Sequence, residues 1–276
     1  MKNILIATDF SKAARNAATY GVRLAATFNA TPILFHAYQP ISAPVDVSQY
    51  AVSADVRQAA LHHLADEISL LNTHHHSKLY TLAEEGPVAA TILRKAARQQ
   101  IDLIVLGMKA KFKGWRWLFG STVTTLASRS DLPILIVPER ATFHGVNVLA
   151  VVIESDLSIN EKQWLLNVLT ALAGQYRAAV YLVRISQNQI QEAYQLLSQP
   201  YRLSKVMASS GDFLRTSHNE DVSAGLSNFI ENFQVDILAI LMSKPAGHAP
   251  LSHHGLTRQM IYQAQIPLLL MHNTPG

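Results

Sequence analysis

The chain has 276 residues, of which 49% are apolar and 15% charged, with a net charge of +4. That balance supplies real hydrophobic cores and excludes a disordered, charge-dominated chain. The absence of cysteine excludes a disulfide framework and thiolate chemistry, and fits a reducing compartment. The length favours two domains of about 140 residues. No apolar run approaches the roughly 20 residues that span a bilayer. The N-terminal "MKNILIATDFSKAA" is too short in its apolar run for a secretory signal, and Asp9 interrupts it. The expectation is a cytoplasmic protein with no membrane partner.

In chain order, Ile4–Thr8 is a continuous apolar strand. Ser11 is placed to cap a helix over 12–28, whose apolar face carries Ala14, Ala17, Ala18, Gly21, Val22, Leu24 and Ala25. Ile33–Ala37 is a second buried strand, and "QPISAP" a loop. Residues 47–71 read as an amphipathic helix through Val56, Ala60, Leu64 and Ile68. Leu79–Ala83 is a strand, and Gly86-Pro87 opens a helix reaching Gln99, with Pro in the first turn where its missing N–H costs nothing. Leu103–Gly107 is a strand, 121–129 a helix and Ile134–Val137 a last strand.

The second half repeats this pattern. "PVAATILRKAARQQIDLIVLGMK" from Pro87 matches "DVSAGLSNFIENFQVDILAILMSK" from Asp221, with Asp102 on Asp236 and Pro133 on Pro267 at a constant offset of 134. Earlier segments match more loosely: "NILIATDFS" (3–11) with "NVLAVVIESDLS" (147–158), and "TPILFHAY" (31–38) with "AAVYLVRI" (178–185). The boundary falls in "ERATFHG", giving domains 1–141 and 142–276. Strands that are apolar on both faces and alternate with helices predict an α/β fold. The expected architecture is two tandem, doubly wound, five-stranded parallel-sheet domains.

Ligands of such sheets sit at the carboxyl ends of the strands. The segment "IVLGMKAKFKGWRWLFGST" (104–122) leaves the fourth strand there, carrying Lys109, Lys111, Lys113 and Arg116. No acidic residue lies between Asp102 and Asp131. Gly107 leaves the strand where a Cβ would crowd a ligand, and Gly120, Ser121 and Thr122 enter the next helix N-terminus, which favours anions. Two readings stand side by side: a phosphate cradle, or a solvated basic loop with an ordinary helix cap. Neither "GxxxxGK[ST]" nor "GxGxxG" occurs.

The order "ATDFS", "EEGPVAATILRKA", "DLIVLG", a loop ending "FGS", then "LPILIVP" resembles the universal stress protein family. The resemblance covers the first repeat, and the other repeat resembles a degenerate copy of it. It implies a stress-response protein that binds ATP, with or without Mg, or a related nucleotide. The ATP-binding branch carries G-x2-G-x9-G-[ST]. Here Gly107, Gly120 and Ser121 keep the spacing, and Ala110 replaces the second glycine. The resemblance places Ala7, Thr8 and Asp9 by the adenosine, and Ala37 against the adenine through its backbone. Gly107, Lys109 and Ala110 would line the ribose and phosphates, and Gly120, Ser121 and Thr122 would hold the phosphates. It implies dimer-like pairing of the last strands, Ile134–Val137 with Leu268–Met271, within one chain. A further homodimer and protein partners are compatible with it.

In the 134 register Gly107 becomes Leu241, Ala110 becomes Lys244, Gly120 becomes His254 and Ser121 becomes Gly255, while Pro245 and Pro250 stiffen the loop. The second repeat is therefore expected to be a scaffold or interaction surface. The competing expectation is a pure interaction module with both sites inactive. His62 and Asp66, spaced i, i+4, and the triplet His74–His76 raise a metal, but a solvated helix end explains them, as it does His253-His254. Trp115 and Trp117 raise base stacking, but packing explains one pair better than nucleic acid does. No G-x-S-x-G elbow and no facing carboxylates support a hydrolase, so any ATP turnover would be slow and no catalytic residue is assigned.

Overall fold

The computed structural model describes residues 1–39, 49–72, 78–109, 121–154, 163–186, 189–196, 213–214, 222–243 and 265–273. Contacts divide the chain into two compact units. Of the described residues, the first takes 1–109, 121–126 and 136–143, and the second takes 127–135 and those from 144 onward.

The first unit begins with β1 (Asn3–Ala7), whose Ile4, Leu5 and Ile6 are fully buried. Then follow α1 (Lys12–Thr27), β2 (Thr31–Tyr38), α2 (Gln49–Asn72), β3 (Tyr80–Glu85), α3 (Val88–Arg98) and β4 (Leu103–Met108), and next in the chain come α4 (Ser121–Arg129) and β5 (Ile134–Pro138), whose residues are divided between the two units. β1 pairs in parallel with β2 and with β4, and β2 with β3. The strand order is β3-β2-β1-β4-β5. The chain thus moves outward on one side of β1, then crosses to the other side at β4. That reversal lies between the carboxyl ends of β1 and β4.

Ser11 caps α1, its side chain accepting from the Ala14 N–H at 3.3 Å. The buried face of α1 is built from small residues, Ala13, Ala14, Ala17, Ala18, Gly21 and Ala25, which let its backbone approach the sheet. The approach is closest at the β4 end, where a Cβ on Gly107 would meet the Ala13 carbonyl oxygen at 2.4 Å. Gly107 is therefore required by helix–strand packing, a reason that the sequence alone did not show.

The second unit comprises β6 (Val148–Glu154), α5 (Gln163–Tyr176), β7 (Ala179–Ser186), β8 (Gln189–Leu196), β9 (Phe213–Leu214), α6 (Val222–Asn232), β10 (Ile237–Ser243) and β11 (Leu268–Asn273). β11, β10, β6 and β7 pair successively in parallel. β8 then pairs antiparallel with β7, and β9 antiparallel with β8. The expected five-stranded all-parallel sheet is corrected here. Only residues 187–188 separate β7 from β8, and a parallel return needs a crossover of a dozen residues or more.

The two units share details the offset of 134 foresaw. One oxygen of Asp102 accepts the backbone N–H groups of Lys2 and Asn3, and one oxygen of Asp236 accepts those of Asn147 and Val148 at 2.6 and 2.8 Å. Gln100 (φ 49°) and Gln234 (φ 49°) each take the left-handed conformation just after a helix. The looser alignments are each corrected by one residue. Asp102 donates its backbone N–H to Asn3 and Asp236 to Val148, so Asn3 corresponds to Val148 rather than Asn147. Thr31 corresponds to Ala179 rather than Ala178, since each opens the register with that first strand. Runs such as "LAVVI" are apolar at every position, so no alternation fixes their register.

Four helices end alike. After α1, α3, α5 and α6, the residues Asn29, Gln100, Arg177 and Gln234 have positive φ. The next N–H reaches back five residues, as Ala30 to Ala25 and Val235 to Ile230 at 2.9 and 3.0 Å.

Candidate functional site

Ala7 ends β1, and Thr8 follows it, buried, donating its N–H to the Phe35 carbonyl of β2 at 2.9 Å. Asp9 is exposed, and its Oδ1 accepts the Ser11 N–H at 3.0 Å. The carboxylate is thereby held over the start of α1 in a turn closed by its own side chain. Between them Phe10 adopts φ 62°, a conformation that costs a bulky residue about 1–2 kcal/mol.

Continuing the β1–β4 register past Ile6↔Val105 brings Thr8 level with Gly107. Lys109 lies just beyond β4 and is exposed. Thr8, Asp9, Gly107 and Lys109 are thus brought together at the reversal point of the sheet, where open α/β sheets bind ligands. Ala37, partly buried, lies one strand away on β2, opposite Glu84 of β3. Ser121 opens α4, with Thr122 behind it, at the helix end whose first N–H groups lack partners within the helix. Ala110 and Gly120 lie outside the described residues, as do Lys111, Lys113, Trp115, Arg116 and Trp117 of the basic loop. His74–His76 and the second-repeat positions Lys244, Pro245, Pro250, His253, His254 and Gly255 also lie outside them. Leu241, which stands where the first unit has Gly107, is buried in β10.

Charge near the turn is partly committed. The Arg15 guanidinium, on α1, grips the buried Glu67 of α2 with contacts of 2.9, 3.1 and 2.9 Å. The hydrogen bond to Glu67, then its charge, raises the Arg15 pKa, against slight desolvation. At the end of β3, burial pushes the Glu84 carboxyl up, but Lys95 and Arg94 outweigh it and hold it below the usual range. His62 and Asp66 stand 3.8 Å apart on an exposed face of α2. No group of three or more His, Cys, Asp or Glu side chains gathers as a metal site among the described residues. No described helix is long and apolar enough to cross a membrane.

Sequence reasoning did not single out Phe10 or His36. His36 Nδ1 lies 2.8 Å from the Thr8 carbonyl oxygen, and the Phe10 ring packs between His36 and His63, with centroids 4.5 and 5.4 Å away. Nothing in the string "ATDFS" marks a left-handed phenylalanine, because that conformation is imposed from β2 and α2.

Comparison with known proteins bears on the same region. No protein of curated function matches the sequence. Over 99% of the chain, and 98% of the other, the fold matches a universal stress protein from Archaeoglobus fulgidus at 12% identity and a TM-score of 0.68. A putative universal stress protein from Pseudomonas aeruginosa matches at 12% identity and a TM-score of 0.59, over 99% of this chain and 93% of that one. A universal stress protein in complex with cAMP aligns with 49% of the chain and 96% of its own length, at 22% identity and a TM-score of 0.40. These likenesses concern fold alone. The sequence profile of the universal stress protein family matches residues 1–138, which hold every element around the β1–β4 reversal, and the chain belongs to the universal stress protein family.

Proposed function

We propose that the first unit binds ATP, with or without Mg, or a related nucleotide, and that this binding serves the stress-response role that family membership supports. The observation carrying this reading is the placement of Asp9 and Lys109 just past the carboxyl ends of β1 and β4, the two strands that flank the reversal point, with α4 the next element in the chain. The adenosine would lie against Ala7, Thr8, Asp9 and the Ala37 backbone. Gly107, Lys109 and Ala110 would face the ribose and phosphates, and Gly120, Ser121 and Thr122 the phosphate end. No residue is assigned to catalysis, and the protein would act by sensing rather than by turnover.

In this reading residues 142–276 are a second, degenerate universal stress protein domain that acts as scaffold or interaction surface. Support comes from the matching carboxylates Asp102 and Asp236, and from Leu241, which is buried where the first unit has Gly107. Pairing of the two terminal strands, β5 and β11, as an intramolecular pseudo-dimer belongs to the same proposal, and rests on their equivalent places in the repeats. Protein partners and a further homodimer remain compatible with it.

The experiment is isothermal titration of ATP-Mg into the intact chain, repeated with Gly120→Asp, which sets a carboxylate in the turn before α4. The expected result is binding at one site per chain in the micromolar range, abolished by the substitution. No heat and no thermal shift at millimolar ATP would turn the reading to an interaction module with both sites inactive.

A further inference from the structure

Five described non-glycine residues have positive φ, and four of them close helices. Phe10 is the exception, sitting at a strand exit with φ 62°. An unfavourable conformation of this kind persists only where its surroundings fix it, and such positions concentrate at functional sites. Four contacts fix this one. The Phe10 N–H donates to Thr8 Oγ1 at 3.0 Å. The Phe10 ring lies against His36 at 4.5 Å and His63 at 5.4 Å. His36 Nδ1 meets the Thr8 carbonyl oxygen at 2.8 Å. A carbonyl oxygen only accepts, so the ring nitrogen must carry the proton.

From this geometry we infer that His36 is a positioning residue for the candidate nucleotide site: its Nδ1–H holds the Thr8 carbonyl and thereby sets the turn that aims the Asp9 carboxylate. The inference rests on the proposed nucleotide reading for its functional consequence. The chain of action is short. His36 stands on β2, one strand from the reversal point, and reaches across to β1. With the Thr8 carbonyl pinned, the next two residues have one way to reach Ser11, which must cap α1. Asp9 Oδ1 closes that turn on the Ser11 N–H. Without the pin, the strained Phe10 would relax and the carboxylate would swing.

The test uses two amides of similar size. In His36→Asn the side-chain N–H falls where Nδ1–H is, whereas in His36→Gln it falls where Nε2 is. Each variant is compared with the wild type by ATP-Mg titration and by amide hydrogen exchange at Ser11, with β4 amides as the internal reference. The expected result is Ser11 exchange about tenfold faster in His36→Gln, with ATP-Mg affinity about tenfold weaker, both returning to within about threefold in His36→Asn. Unchanged β4 exchange would show that the fold is kept. If the two variants match the wild type, or both loosen equally, the Nδ1–H is not the positioning group and the inference falls. If the wild type itself takes up no ATP-Mg, the nucleotide reading fails separately. Ser11 exchange and its rescue by Asn then still decide whether His36 sets the turn.

Discussion

The two units differ most instructively at one position. In β4, Gly107 lets the first turn of α1 pass so close that no side chain fits. In β10 the equivalent residue is Leu241, fully packed inside its sheet, so no helix backbone can lie there as α1 does. The entrances to these two strands are nearly superimposable in their bonding, from the left-handed glutamine to the paired carboxylate. The exits diverge. Exits are the ends where open α/β sheets bind. The two halves share the bonding at the strand entrances and differ in the packing at the exits.

Exchanging those two residues gives the largest effect. Gly107→Leu should drive a side chain into the α1 backbone, and Leu241→Gly should leave a cavity in β10, each costing about 3–5 kcal/mol. Denaturant unfolding would register both. A mild cost for Gly107→Leu would show that α1 can retreat and that the two exits are not truly different.

The ion pair of Arg15 with Glu67 ties α1 to α2, and the second unit places the antiparallel β8 directly after its second strand instead. Arg15→Ala should leave the buried Glu67 carboxylate unpaired, at a cost of about 2–3 kcal/mol. Hydrogen exchange resolved by peptide should show the loss in the first unit alone. Equal loosening of both halves would break the comparison.

Asp102→Ala and Asp236→Ala each remove one acceptor from two backbone N–H groups, with an expected cost of about 2 kcal/mol apiece. Similar values from the two variants would sharpen the likeness of the entrances, and a near-zero value for either would remove it.

The smallest effect concerns pH. Glu84 has its pKa held below the unfolded value, so its contribution is complete above the usual glutamate range. It fades as pH falls from about 4.5 through the lowered folded value. The pair is near the surface, so the contribution should stay under about 1 kcal/mol. Glu84→Gln should lower stability at neutral pH by that small amount and flatten the acid part of the curve, so that the variant and the wild type converge as pH falls.

Much of the first unit was legible in its residues. Ser11 before an alanine-rich face announced α1, and "DLIVLG" and "LPILIVP" announced buried strands because no polar residue interrupts them. The 134 offset correctly paired Asp102 with Asp236, since a helix, a polar turn and a strand together fix register. The first strands of each repeat slipped by one because uniform apolar runs do not. Gly107 was found, but its packing role was not, as helix approach cannot be read from one strand. Phe10 and His36 stayed silent, because their meaning lies in a contact between β1, β2 and α2. The antiparallel β8 was hidden for a similar reason: in "QIQEAYQL" Glu192 interrupts the alternate apolar positions Ile190, Tyr194 and Leu196, and its partner decides its direction.

The helix ends leave an untapped reserve for protein engineering. Gln100, Arg177 and Gln234 each occupy a left-handed position where glycine would sit without steric penalty. Replacing the three with glycine should raise the melting temperature by a few degrees in total, each change adding a few tenths to about 1 kcal/mol after the extra entropy of the unfolded chain is deducted. None lies at a strand exit. A hardened chain of this kind would tolerate the damaging substitutions proposed at Gly107, Gly120 and His36, and so let their effects on binding be measured apart from their effects on folding.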